Sequence, residues 1–149
     1  MSRKLRIGLS LSCIDYRLFP QTIALLQEEC CVDRFDHTIL PGASLGYNQD
    51  KYECWKPTFL DQVDLAIQLH DIQMIVVVDH KDCGAYHLFY PDSTDHPHYE
   101  RKLHIKNILR FIHNMKRRYP QFTYAGYLLA LDGGAEIIYR EPCDDPDRC

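Results

Sequence analysis

Residues 76–86 read VVVDHKDCGAY. Together with Ile72, Met74 and Ile75 just before them, the valines make a short apolar, β-branched run that stops at polar residues. Such a run is the mark of a strand covered on both faces, the kind that fills the middle of a parallel sheet. It runs out into His80 and Cys83, three positions apart and followed at once by Gly84. Two good ligands for a soft metal therefore stand where a buried strand ends.

Working outward, residues 5–12 and residues 38–40 with their flanks have the same strand character, and each ends at Gly or polar residues. Helical patterns lie between and after the strands. Residues 20–31 open with a proline suited to a first helical turn. Residues 58–70 repeat apolar side chains at Phe59, Val63, Ala66 and Ile67, and residues 99–119 do so at Ile105, Ile108, Leu109, Ile112 and Met115. A last pair of strands, 122–131 and 135–139, flanks the hairpin turn Asp132-Gly133-Gly134. Strands that alternate with helices imply right-handed crossovers and a mainly parallel sheet. The expected fold is α/β, a three-layer α/β/α domain whose final hairpin strand is an antiparallel edge.

The chain has 149 residues, enough for one core, so residues 1–140 read as a single domain and the acidic, proline-punctuated residues 141–149 as a flexible tail. With 17 basic against 21 acidic residues and a formal charge of -4, nothing favours nucleic acid or an anionic membrane as partner. No apolar run approaches the roughly 20 residues that cross a bilayer. The basic N-terminus with its short apolar stretch lacks a cleavage site and reads as a first strand, which points to a soluble cytoplasmic protein. Seven cysteines, an odd number with no disulfide-framework spacing, fit a reducing compartment.

Sites in open parallel sheets lie beyond the carboxyl ends of the strands. A catalytic zinc site takes at least three protein ligands, so His80 and Cys83 need a third group from elsewhere. The first strand ends SLSCIDYR, with Cys13 at its carboxyl end, and the first and third strands of such a sheet are commonly adjacent. Cys13, His80 and Cys83 then form an open Zn²⁺ site, with Asp15 and Arg17 just beyond.

Cys13-Ile14-Asp15-Tyr16-Arg17 followed downstream by His80-Lys81-Asp82-Cys83-Gly84 resembles the C-x-D-x-R and H-x-x-C motifs of the β-class carbonic anhydrases. The resemblance extends through HTILPGASLG and FTYAGYLLALDGGAEIIY. It implies zinc ligands Cys13, His80 and Cys83, an Asp15–Arg17 dyad beside the metal, reversible hydration of CO₂ to bicarbonate, and a homodimer or higher homo-oligomer. CS₂ or COS hydrolysis on the same ligands, and a zinc-stabilised binding protein without turnover, stay open. The chain departs from the family pattern at Tyr16, where a small serine is usual, at the LPGAS loop, and in lacking a helical N-terminal arm.

Other features have plainer expectations. Cys30, Cys31 and Cys54 read as packing or exposed thiols, and Cys143 and Cys149 as part of the tail, with a second metal or a disulfide as the alternative. His96 and His98 read as a solvated loop. The basic residues of 99–119 read as the polar face of an amphipathic helix, and Gly42 to Gly46 as a tight turn. The aromatic segment YHLFY, residues 86–90, is the expected surface for a second copy.

Overall fold

The computed structural model describes residues 3–145 and 147–149. Five strands, β1 (Ile7–Ser12), β2 (Arg34–Ile39), β3 (Met74–His80), β4 (Thr123–Leu129) and β5 (Ala135–Arg140), form one sheet in the order β2-β1-β3-β4-β5. The first three pairings are parallel, and β5 runs antiparallel to β4 at the edge. Five helices connect and cover them: α1 (Phe19–Gln27), α2 (Ser44–Asn48), α3 (Trp55–His70), α4 (Gly84–Phe89) and α5 (Pro97–Arg118).

The alternation of β3 explains its unbroken apolar run. Ile75 and Val77 join Leu9, Leu11 and Tyr124 under Phe59 and Val63 of α3 and Ile108, Phe111 and Ile112 of α5. Met74, Val76 and Val78 point the other way, into a second cluster with Leu26 of α1 and Ala125 and Tyr127 of β4. A strand that feeds two cores has no face toward solvent, and every residue of β3 is buried, Asp79 and His80 at its end included. The expected three layers and the antiparallel edge are therefore the observed ones. The hairpin turn forms as expected too, with Gly133 at φ +92 and the Ala130 N–H bonded to the Gly134 carbonyl at 2.7 Å.

Boundaries differ where tertiary contacts override local pattern. The helical pattern predicts a start at residue 58, but α3 begins at Trp55. Residues 42–46, expected as a turn, lead into the short buried helix α2. A 3₁₀ turn (Pro91–Ser93) occupies part of the expected surface loop.

The close seating of α5 on the sheet depends on Gly126. A Cβ there would lie 2.5 Å from Cγ2 of Ile108 and 3.1 Å from Cδ1 of Ile112. Gly126→Ala should lower stability by about 1–3 kcal/mol through overpacking, read as a lower denaturant midpoint at unchanged slope.

The cysteines outside the first-strand and third-strand motifs correct the sequence expectation. Cys30 meets Cys149 and Cys31 meets Cys143, at Cα–Cα distances of 5.6 and 5.3 Å. The segment expected to be loosely held thus meets the segment after α1 at two points, with Arg148 also donating to Asp33 at 2.7 Å. Cys13, Cys54 and Cys83 are free. No helix among the described residues is long and apolar enough to cross a membrane.

Candidate metal centre

The sheet order reverses between β1 and β3: the chain leaves β1 for β2 on one side and returns to β3 on the other. Crossovers diverge at that point, and the carboxyl ends of the two strands are left open to a site. Ser12 pairs with Val78, so Cys13 lies level with Asp79 and one step from His80. Sheet register alone thus brings together two motifs separated by some seventy residues of chain.

The donor atoms of Cys13, His80 and Cys83 lie within 4.8 Å of one another, and the two sulfurs are 4.0 Å apart. Nδ1 of His80 lies 2.8 Å from the carbonyl of Lys81 and so carries the proton it donates there. Nε2 is buried with no hydrogen-bond partner. A buried imidazole lone pair is costly unless something accepts it, and this one opens toward two sulfurs, the setting of a metal ligand fixed by its other nitrogen. The charges agree. The neighbouring Cys83 thiol holds Cys13 down to about 4, against the effect of burial. Hydrogen bonding to Cys13 and then burial push the Cys83 thiol up. Two adjacent sulfurs share one proton without a cation, whereas a divalent cation lets both ionise.

The loop after β2 completes the pocket. Gly42, at φ +77, turns its N–H onto Cys13 Sγ at 3.3 Å. This left-handed conformation suits glycine, and the donated hydrogen stabilises the sulfur as thiolate.

Asp15 and Arg17 form the pair the sequence leads one to expect. Arg17 Nε and Nη2 donate to the two carboxylate oxygens of Asp15 at 3.1 and 2.8 Å. Those bonds hold the Asp15 carboxyl down at about 2. Asp15 Oδ2 lies 3.7 Å from His80 Nε2, on the open side of the ligand group. Arg17 also donates from Nη1 to Asp82 Oδ2 at 3.0 Å and from Nη2 to the Asp82 carbonyl at 2.9 Å. It therefore ties the Cys13 loop to the Cys83 loop. Asp82, at φ +56, was legible only as a spacer between His80 and Cys83.

Sequence patterns also leave hidden the buried network behind Cys83. His104 lies between Asp79 Oδ2, 2.8 Å from Nδ1, and Glu100 Oε1, 3.2 Å from Nε2. Both nitrogens face carboxylates, so the ring holds both protons. Burial opposes that charge, but Asp79 and Glu100 outweigh it and raise the His104 pKa. Glu100 Oε1 also accepts the Cys83 N–H at 2.9 Å, while Asp79 accepts from Ser44 Oγ and Tyr86 OH, each at 2.7 Å. The ligand loop is thus held by an ion network. Its available signals were Asp79 inside an apolar run and Glu100 four residues before His104 on one helix face.

Outside the ligands lies an open cleft of about 570 Å³ lined by Ile14, Tyr16, Pro41, Gly84, Ala85 and Leu88 beside the dyad.

Comparison with known proteins places the chain in a family. The family described as "Putative carbonic anhydrase" matches residues 3–133, and the chain belongs to that family. A protein of Rickettsia bellii is 37% identical over 140 residues, covering 91% of this chain and 84% of the relative. Among solved structures, a β-carbonic anhydrase of Aspergillus fumigatus superposes with a TM-score of 0.61 at 12% identity, covering 93% of this chain and 91% of the other. A tetrameric β-carbonic anhydrase of Sordaria macrospora gives 0.57 at 11%, covering 91% and 81%. The fold is that of the β-carbonic anhydrases.

Proposed function

We propose that the chain is a zinc-dependent carbonic anhydrase that hydrates CO₂ reversibly to bicarbonate, with Cys13, His80 and Cys83 holding the metal and Asp15 and Arg17 serving the reaction beside it. The observation that carries this reading is the orphaned Nε2 of His80, buried and facing two sulfurs. A tetrahedral zinc with Zn–S near 2.3 Å sets its sulfurs about 3.8 Å apart, close to the 4.0 Å found here. Two thiolates and one imidazole leave a fourth position, as catalytic sites do. When bound, zinc supplies a Lewis acid that makes a water molecule nucleophilic near neutral pH.

The protein's own groups orient the reactants. Arg17 occupies both oxygens of Asp15 and keeps the carboxylate ionised and aimed along the open side of the ligands. There it can accept a hydrogen bond from the attacking water and align its lone pair with CO₂. The apolar part of the cleft, Ile14, Ala85 and Leu88, suits a small uncharged substrate. Stopped-flow hydration of CO₂ by zinc-loaded protein tests the reading, with CS₂ and COS as parallel substrates. Turnover of the sulfur compounds alone would replace it, and no turnover at all would leave a zinc-stabilised binding protein.

The working unit is a homo-oligomer of a cytoplasmic protein. Tyr86 packs within its own chain, so the expected aromatic surface reduces mainly to Leu88. Leu88 stands with Ile14 and Tyr16 at 82, 63 and 85% exposure around the mouth of the cleft. A second copy covering them would close the pocket and remove apolar surface from water. Light scattering at micromolar concentration should give at least twice the mass of one chain, and Leu88→Glu should shift it toward monomer. A fully active monomer would overturn the oligomer.

A further inference from the structure

We propose that Cys30, Cys31, Cys143 and Cys149 form a second metal site, a tetrathiolate that takes one Zn²⁺ and fastens the end of the chain to the end of α1. The four sulfurs lie within 4.8 Å of one another, a single cluster and not two separate bridges. Pairwise bonding requires only that each sulfur meet one partner. Here sulfurs of different bridges also converge, Cys143 on Cys149 at 2.8 Å and Cys31 on Cys149 at 4.0 Å. Bridged sulfurs have no S–H with which to attract one another, whereas four thiolates around one cation must all meet. Four sulfurs with no nitrogen or oxygen donor is the set that suits tetrahedral zinc in a closed, structural site.

The surroundings match an anionic cluster. Arg140 Nη2 approaches Cys31 Sγ at 3.5 Å and Cys30 Sγ at 3.9 Å. Its place is set by Glu29, which accepts from Nη1 and Nη2 at 2.6 and 2.8 Å and also receives the Cys31 N–H at 2.9 Å. Arg148 Nε donates to the Cys30 carbonyl at 3.0 Å. A Zn²⁺ with four thiolates has a net charge of minus two, and cationic donors beside the sulfurs offset it. The free Cys13 and Cys83 need a setting that keeps thiols reduced, and metal binding at the other four cysteines removes the conflict between that setting and two bridges.

The site forms from four thiols, whose protons pass to water as the metal binds, with no electron transferred. The bridged state is the four-electron oxidised form, and two equivalents of a dithiol reductant return it to four thiols. The cluster lies partly beyond residues 3–133, the stretch matched by the family; Cys31 enters beside the amino end of β1, where the Asp33 N–H bonds to the Arg6 carbonyl, whereas Cys13 follows its carboxyl end.

Zinc counting in protein purified without oxygen, in a reductant that does not bind metal, tests the proposal. The wild type should carry two zinc ions per chain. Cys143→Ser with Cys149→Ser should lose one and keep CO₂ hydration. Cys83→Ser should also lose one, and X-ray absorption of the zinc it retains should show four sulfurs. A wild type with one zinc, lost on Cys143→Ser with Cys149→Ser, would support this site while removing the Cys13 one. Should the tail variant fail to fold, alkylation of the wild type decides: bound zinc should protect six cysteines, Cys13 and Cys83 together with the four of the cluster, and all six should react once a chelator is added. Unchanged zinc content in the tail variant would overturn the proposal, and so would a freshly isolated mass lower by four hydrogen atoms, which would establish disulfides.

Discussion

Cys83→Ser should remove one equivalent of zinc per chain and reduce CO₂ hydration to the uncatalysed rate. Two protein ligands do not retain a catalytic zinc, and serine is too weak an acid to replace a thiolate. Misfolding does not account for this outcome. Cys83 is the N-cap of α4 and makes no side-chain cap, and serine is among the preferred N-cap residues. The smaller side chain also keeps the Cys83 N–H bonded to Glu100. Circular dichroism should therefore change little while metal and turnover are lost, and the unfolding temperature should fall only to that of the zinc-free wild type. Acidification should release the same zinc from the wild type. Metal binding needs a deprotonated Cys83, whose thiol pKa is raised, and a neutral His80, whose pKa is also raised, so affinity falls as pH falls. Full zinc content in Cys83→Ser would remove the centre.

Arg17→Ala should lower turnover by roughly 10²-fold or more while leaving zinc in place. Arg17 binds no ligand sulfur, but it holds both oxygens of Asp15 and both an oxygen and the backbone of Asp82. Without it Asp15 keeps its negative charge at neutral pH, because the ordinary carboxylate value is still acidic. The freed carboxylate is then close enough to His80 to take the fourth metal position and exclude water. Asp15→Asn should impair turnover without supplying an anionic ligand. The sign of the pH response separates the groups. Asp15 is held down at about 2 and does not titrate above pH 4. A rise of wild-type activity toward alkaline pH at unchanged zinc content would then belong to the attacking water. Zinc content, X-ray absorption and hydration rates across pH for the wild type and both variants test the dyad, and undiminished activity in Arg17→Ala would reduce it to a structural ion pair.

The fold was legible because its determinants are local and periodic. The continuous run in β3 specifies burial on both faces, and the turn at Gly133 specifies the edge hairpin. The proximity of the candidate ligands was legible for a related reason: Cys13 and His80 sit at strand ends, and parallel pairing of β1 with β3 brings such ends together. Asp15 and Arg17 are two residues apart, so their pairing needs little beyond a loop.

What the amino-acid order by itself determined is therefore the set of strands and helices, the two-sided burial of the central strand, and which residues are the candidates to hold the first metal. Tertiary structure alone decided the rest. Asp79, Glu100 and His104 become one ion network only when α5 packs behind β3, and each is unremarkable within its own segment. Cys30 and Cys31 meet Cys143 and Cys149 across more than a hundred residues. Periodicity fixes which face of an element is buried, because that depends on neighbours three or four positions away. It carries no record of which distant element supplies the partner, because that choice is made by the summed packing and charge pairing of the whole chain.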